Sequence, residues 1–204
     1  MYKLDKIYLD FFNIITNIKK IIDKLSIYQK NFERDIYIEG CFLKFVVYLE
    51  NFFEEYFLSC MCGAITKSKR KLKPKGCIYH NKQDAFKRIS ENNWSREKNY
   101  LDWLDHSTIK IRITNYFHKN SRVHFIYEKP EFMNNIKIIR NYIAHNSKKS
   151  KEKFKDMVIQ NCGYLPSPNT NVTDFLLSIN RNILDKYYSI YIKYYSDLVK
   201  RLIK

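Results

Sequence analysis

LDKIYLDFFNIITNIKKIIDKLSIY, residues 4–28, decides the fold class of this chain. Leu4, Ile7, Phe11, Ile14, Ile18, Ile21 and Leu25 recur at alternating gaps of three and four, which keeps them on one side of an α-helix and of no other regular structure. The same test works outward. A second apolar segment, about 40–65, strings Phe45, Leu49, Phe52, Tyr56 and Cys60 on one stripe with Glu50, Glu54 and Glu55 between them, and predicts a long buried helix. Those three carboxylates have the chemistry of paired acids or metal ligands, but on an apolar helix they read better as its solvated edge or as salt-bridge partners. Pro130 stands at the first turn of a helix over 130–146, with Phe132, Ile136, Ile139 and Ile143 as its buried stripe. A shorter helix around Phe154 and Val158 covers 148–161. After a turn-rich loop, Cys162 to Val172, Thr173 is expected to cap one continuous helix over 173–203, striped by Leu176, Ile179, Ile183, Tyr187, Ile190, Tyr194, Leu198 and Leu202.

Between 83 and 127 the pattern shortens. Phe86 and Ile89 suit one helix, and Tyr100, Leu101 and Leu104 another. Ile109, Ile111 and Ile113 alternate as in a strand, yet Ser107 can cap a helix and no partner strand is evident, so a helix is expected. Residues 67–75 hold six cations in nine positions with Pro74 near the end, and read as an inserted, solvated, flexible loop. No repeat is visible. The sum is one all-α domain over 1–204, a bundle of long antiparallel helices.

Composition narrows the class. Over 204 residues, 45% hydrophobic and 16% aromatic content excludes a disordered chain. Thirty-seven Lys and Arg against 21 Asp and Glu leave a net charge of +16, which favours polyanions: RNA, DNA or an acidic membrane. Only nine of the cations are Arg, and the wealth of Lys, Ile, Asn and Tyr matches AT-rich codons, so part of the charge reflects composition rather than binding. Lys3, Asp5, Lys6 and Asp10 break up any apolar start, and the longest uncharged apolar run, Tyr56 to Thr66, is too short to span a bilayer; no signal peptide or membrane segment is expected, and the cytoplasm is the default. The five Cys are odd in number and scattered, implying no disulfide framework. Cys60, Cys62, Cys77 and His80 supply metal-ligand atoms, but the Cys60-x-Cys62 pair is one residue tight for zinc, so buried thiols and no metal are expected. His80, His106, His118 and His124 show no HxH or HExxH spacing, and the four Gly form no GxGxxG or GK[ST] loop, so no cofactor is expected.

The useful chemistry gathers in Ile138-Ile139-Arg140-Asn141-Tyr142-Ile143-Ala144-His145-Asn146-Ser147. At about 100° per residue from Ile136, the stripe lies within about 60°, whereas Asn141 falls near 140°, Asn134 near 160° and His145 near 180°. This polar trio faces away from its own core. Arg140, at about 40°, must reach round to meet His145, and Ile138, at about 200°, is an apolar residue on the polar face, which implies that something covers it. A second protomer would do so, with Ile138 and Asn134 in the interface. Histidine is the residue type suited to acid–base exchange, which His145 supplies, and Arg140 presents a planar, permanently charged fork matched to two phosphate oxygens. Asn141, one turn before His145, can orient the imidazole or a substrate hydroxyl. The bland alternative is that Arg140 and His145 are cations favoured at a helix C-terminus.

Arg140, four intervening residues and His145, with Asn directly after the Arg on a late helix of an α-bundle, resembles the R-x4-6-H motif of HEPN-domain ribonucleases. The layout is similar to the RiboL-PSP-HEPN type: an early helix with a Glu-rich apolar run from Leu49 to Phe57, then IRNYIAHNS, then a Gly-Tyr-Leu-Pro loop from Gly163 to Pro166, then a terminal helix. The resemblance implies a HEPN-like helical bundle and metal-independent endoribonuclease activity by 2′-hydroxyl attack, leaving a 2′,3′-cyclic phosphate and a 5′-hydroxyl. It assigns Arg140, His145 and Asn141 to catalysis and implies a homodimer whose two Arg–His pairs line one cleft. It also implies a toxin or antiphage defence role, with an antitoxin or regulatory partner. In one branch of the family a Tyr two residues after the His is adenylylated; here that position is Ser147. Lys67, Lys69, Arg70, Lys71 and Lys73, together with Lys148 and Lys149 and the neighbouring Lys151 and Lys153, are expected to hold RNA phosphates without reading sequence. The alternatives of another class are a non-catalytic helical module that binds RNA or protein through the same surface, and an interfacial membrane binder driven by Lys67 to Lys75.

Overall fold

A computed structural model describes residues 4–69, 71–91, 101–164, 167 and 169–204. The chain is all-α, as the stripes predict, and among the described residues the only paired strands are two of two residues each. Helix α1 spans Leu4–Leu25 and buries Leu4, Phe11, Ile15, Ile18 and Ile22. The expected stripe ran through Ile14 and Ile21 instead, and Ile21 is 47% exposed. The expected positions repeat every 3.5 residues, whereas a straight helix turns every 3.6, so its buried side drifts by one residue over the length of α1.

Helix α2, Phe32–Met61, starts earlier than the sequence suggests because Asn31 caps it, its side chain accepting the Arg34 N–H at 2.8 Å. Gly40, read as a boundary, sits inside the helix. From Phe42 onward α2 is nearly enclosed. Of its three carboxylates, Glu54 accepts from Trp103 Nε1 at 2.8 Å and Glu55 pairs with Lys82, but Glu50 is buried rather than on a solvated edge.

The last part of the chain departs from expectation. Instead of one helix over 173–203 there are α7, Val172–Leu177, a hairpin of β1, Ile179–Asn180, and β2, Asp185–Lys186, and then α8, Tyr187–Ile203. The break has a local cause: Asn180 Oδ1 accepts the N–H groups of Asn182 and Ile183, each at 3.0 Å, drawing them out of helical pairing. Ile179 and Ile183, expected in the core, are therefore exposed. The cap of α7 is Asn171, in a capping box with Asp174, while Thr173 is buried. Helix α8 runs parallel to α2 rather than antiparallel as expected, with Phe42 against Tyr191, Phe45 and Phe53 against Tyr195, and the Tyr56 hydroxyl donating to the Leu202 carbonyl at 3.0 Å.

The middle of the chain forms α3, Lys82–Glu91, α4, His106–Tyr116, and a 3₁₀ turn, Arg122–Tyr127, which resolves the strand-or-helix question in favour of helix. Asp105, not Ser107, caps α4. Leu101 and Leu104 are buried but not helical, because Asp102 Oδ1 accepts the N–H groups of Leu104 and Asp105; Tyr100 lies outside the described residues. The lysines of the 67–75 loop are solvated as expected, but its backbone is pinned: Lys67 N–H donates to the Ile203 carbonyl, Leu72 to Ala64 and Lys75 to Tyr116, and Pro74 is buried. Cys60 is buried, Cys41, Cys62 and Cys162 are half-buried and Cys77 is exposed, so the buried-thiol reading holds fully for Cys60 alone. No described helix is long and apolar enough to cross a membrane.

The drift of the α1 stripe gives a direct check. Ile22→Ala should lower unfolding stability by about 2–5 kcal/mol, as a fully buried truncation. Ile21→Ala should cost under about 1 kcal/mol. Urea denaturation that reverses this order places the core on the other side of α1.

Candidate functional site

Helix α5, Pro130–His145, turns Met133, Ile136 and Ile139 into the core. It ends at Asn146, whose left-handed backbone (φ 43°) is one Asn tolerates and whose N–H donates to the Tyr142 carbonyl at 2.9 Å. Ser147 follows at once as the cap of α6, Lys148–Cys162, its hydroxyl accepting the Ser150 N–H at 3.2 Å. A two-residue link makes α5 and α6 an antiparallel hairpin. Near the link Tyr142 stacks on Phe154 with ring centres 4.8 Å apart, and at the far end Asn135 Nδ2 donates to Asn161 Oδ1 and to the Tyr191 hydroxyl, both at 3.1 Å.

The opposite face of α5 borders a groove of about 600 Å³ between the two helices. Asn134, Ile138, Asn141 and His145 form one wall, and Lys149, Lys153, Met157 and Gln160 belong to the other. Ile138 is half-buried and packed against the core, so α6 of the same chain supplies cover that the sequence reading assigned to a second protomer. Arg140 does not line the groove; its Nη1 donates to Asn141 Oδ1 at 3.1 Å, and Asn141 does. The expected reach round to His145 is not made: the guanidinium stops at the neighbouring Asn141. His145 is exposed at the last turn of α5 and makes no hydrogen bond among the described residues.

Two further charges stand at the side of the groove. Lys137 bridges Asp102 and Asp105, each at 2.9 Å. Hydrogen bonds from Ser107, then Lys137, then the Thr108 N–H hold the Asp105 carboxyl far below the usual carboxylate range. Burial works against the Lys137 ammonium, but its bonds to Asp102 and Asp105 outweigh that and raise its pKa. Lys137 is thus committed to neutralising its neighbours, while Lys149 and Lys153 line the groove without an ion pair among the described residues.

The expected phosphate-binding residues divide into two places. Lys149 lines the groove and Lys148 is exposed beside it, at the start of α6. Lys67, Lys69, Lys71 and Lys73 lie elsewhere, in the loop that follows α2; Arg70 is outside the described residues, as are Leu165 and Pro166 of the Gly-Tyr-Leu-Pro loop. Tyr142 stacks on Phe154, Phe154 meets Phe175 of α7, and the Thr173 hydroxyl of α7 donates to the Asp35 carbonyl, so the His145 end of α5 lies toward the early part of α2. From Glu39 to the end of α2 is about 33 Å of helix, so the lysine loop sits at the far end of the molecule from His145. Sequence reading passed over Lys137, Asp105, Asp156 and Gln160. The signal available for the α6 residues was the link itself: with only Asn146 and Ser147 between two helices, α6 has to fold back along α5.

Among the described residues no three His, Cys, Asp or Glu side chains gather as a metal site. No family model, curated protein or solved structure matches the chain.

Asp105→Asn retains a capping oxygen but removes the charge that Lys137 faces. Because the folded carboxyl is depressed, its contribution is fully present above about pH 4 and fades as pH falls through the folded value. The melting temperature of the variant should therefore lie below that of the parent at pH 7, and the gap should narrow below about pH 4. A gap independent of pH means that the ion pair contributes nothing.

Proposed function

We propose that the chain is a metal-independent endoribonuclease of the HEPN type, acting on cytoplasmic RNA as a homodimer and serving as a toxin or antiphage effector under the control of a partner protein. The observation that carries this reading is the Arg140–Asn141 contact at the rim of the groove where His145 stands beside Lys149 and Lys153. RNA brings its own nucleophile, the 2′-hydroxyl, so cleavage needs only a group that exchanges protons near neutrality and cations that hold the phosphate. In this mechanism His145 moves the proton, and Arg140 turns from Asn141 to neutralise charge on the phosphate oxygens as the 2′-oxygen attacks phosphorus. The bond to the 5′-oxygen breaks, that oxygen takes a proton, and the products are a 2′,3′-cyclic phosphate and a 5′-hydroxyl. Asn141 spends its oxygen on Arg140, which fixes the guanidinium and leaves its amide N–H groups for substrate. The groove is open on one side, where a second copy, bringing its own Arg140 and His145, completes the cleft.

His145→Ala should lose about 10²- to 10⁴-fold in cleavage rate while folding normally, since the side chain is exposed. Arg140→Lys should also fail, because a point charge does not reproduce the fork. Activity should persist in EDTA, and RNA with a 2′-deoxy at the scissile nucleotide should bind uncut. Magnesium-dependent activity, or equal cleavage of the 2′-deoxy substrate, overturns the mechanism; RNA binding with no cleavage by the wild type supports a binding module instead. A fully active monomer in sedimentation overturns the shared cleft.

Replacing Lys149 and Lys153 with Ala should flatten the salt dependence of RNA binding by about two phosphate contacts. Replacing Lys71 and Lys73 should leave cleavage of a short oligoribonucleotide unchanged, because that loop is about 33 Å away along α2. Equal effects from both pairs mean that RNA spans the molecule.

A further inference from the structure

The polar groups that line the α5–α6 groove fall into two sets. Lys137 and Asp105 are bound to each other, and nearby Asn135 is bound to Asn161 and Tyr191. Asn134, Asp156 and Gln160, by contrast, have no hydrogen bond or ion pair among the described residues, and all three side chains line the groove. Asp156 is the conspicuous member. In a chain of net charge +16, a carboxylate in a groove that also presents Lys149 and Lys153 opposes phosphate binding and has no cation of its own.

Along α6 it follows Lys153 by three residues, about 4.5 Å of axis, on the side away from Lys149. The antiparallel hairpin sets Asn141 across from Lys153, then Ile138 across from Met157, then Asn134 across from Gln160. From His145 to the Ile138 level is seven residues, or about 10 Å along the axis, comparable with the reach of one nucleotide from its ribose to the far edge of its base. At that level the half-buried Ile138 offers an apolar surface for the face of a ring, and Met157 is buried beside it. Asp156 next to it offers two oxygens that only accept.

Resting on the ribonuclease reading, we propose that this end of the groove is a base-specificity pocket for guanine, read by Asp156 and flanked by the amides of Asn134 and Gln160. A carboxylate pairs best with two donors side by side. Guanine alone presents them, in N1–H and the N2 amino group; adenine and cytosine offer a single amino group and uracil a single N–H. Single-stranded RNA is read in this way, on splayed bases through their Watson–Crick edges. Asp156 also repels phosphate, which favours a backbone path on the Lys149 side of it.

The probes are four fluorescent tetraribonucleotides, UUGU, UUAU, UUCU and UUUU, with binding measured on His145→Ala protein so that nothing is cut. UUGU should bind about tenfold or more tightly than the others, the discrimination of one bidentate base contact. Adding Asp156→Asn should abolish that advantage without weakening UUUU. No guanine preference, or one that survives Asp156→Asn, overturns the pocket, and an equal gain for all four probes marks Asp156 as a solvated surface acid only. Cleavage of the same probes by the wild type separates the two ideas. Cutting without guanine preference leaves the ribonuclease and removes the pocket, while guanine-selective binding without cutting leaves the pocket and removes the ribonuclease.

Discussion

The enclosure of α2 is the constraint from which the rest of the architecture follows. A helix whose last twenty residues carry Phe42, Phe45, Phe53, Tyr56 and Phe57 on several sides cannot be covered by one neighbour. Several are needed, and α1, α3, α5, α7 and α8 supply them. The contact with α8 is aromatic on both sides, and large rings fix orientation more tightly than aliphatic side chains because their edges and faces are not equivalent. Once α8 lies parallel to α2, α5 is held by Phe132 against Tyr191 and Tyr194, and its polar face is turned outward.

That outward face becomes a site only because α6 returns along it. The groove belongs to supersecondary structure: a short link, a capped start and a stacked pair, Tyr142 on Phe154, join the helices at one end, and a hydrogen bond from the Asn135 amide to Asn161 Oδ1 joins them at the other. Charge is then sorted within it. Lys137 is occupied by two carboxylates at the side, leaving Lys149 and Lys153 to face whatever enters. On the proposed reading α5 carries the chemistry, while the residues that would read the base stand mainly on the facing wall, α6.

Much of this was legible in the sequence where periodicity was long and pure. The existence of α1, α2, α5 and α6, and the outward turn of Asn134, Asn141 and His145, follow from spacing alone. Failures came where a short polar side chain competed with the backbone: Asn31 began α2 early, Asn180 broke the final helix and Asp102 kept Leu101 and Leu104 out of one. An apolar stripe cannot report such events, since Ile179 and Ile183 fit the pattern and yet stand exposed. The lysine loop misled differently, because its composition describes its side chains while its order comes from backbone bonds to α8 and α4. Lys137, Asp105 and Asp156 were invisible as site residues because their meaning depends on what lies across the groove.

The two-residue clasp at Asn146 and Ser147 has a dynamic consequence. Many ligand sites are closed by a loop that must be ordered on binding, at an entropic cost taken from affinity. Here the segment joining the walls has no slack: widening the groove would break the Asn146-to-Tyr142 bond and uncap α6. The groove therefore behaves as a rigid clamp whose aperture is set during folding, and adaptation to different ligands has to come from the lysine and amide side chains rather than from movement of the helices that bear them.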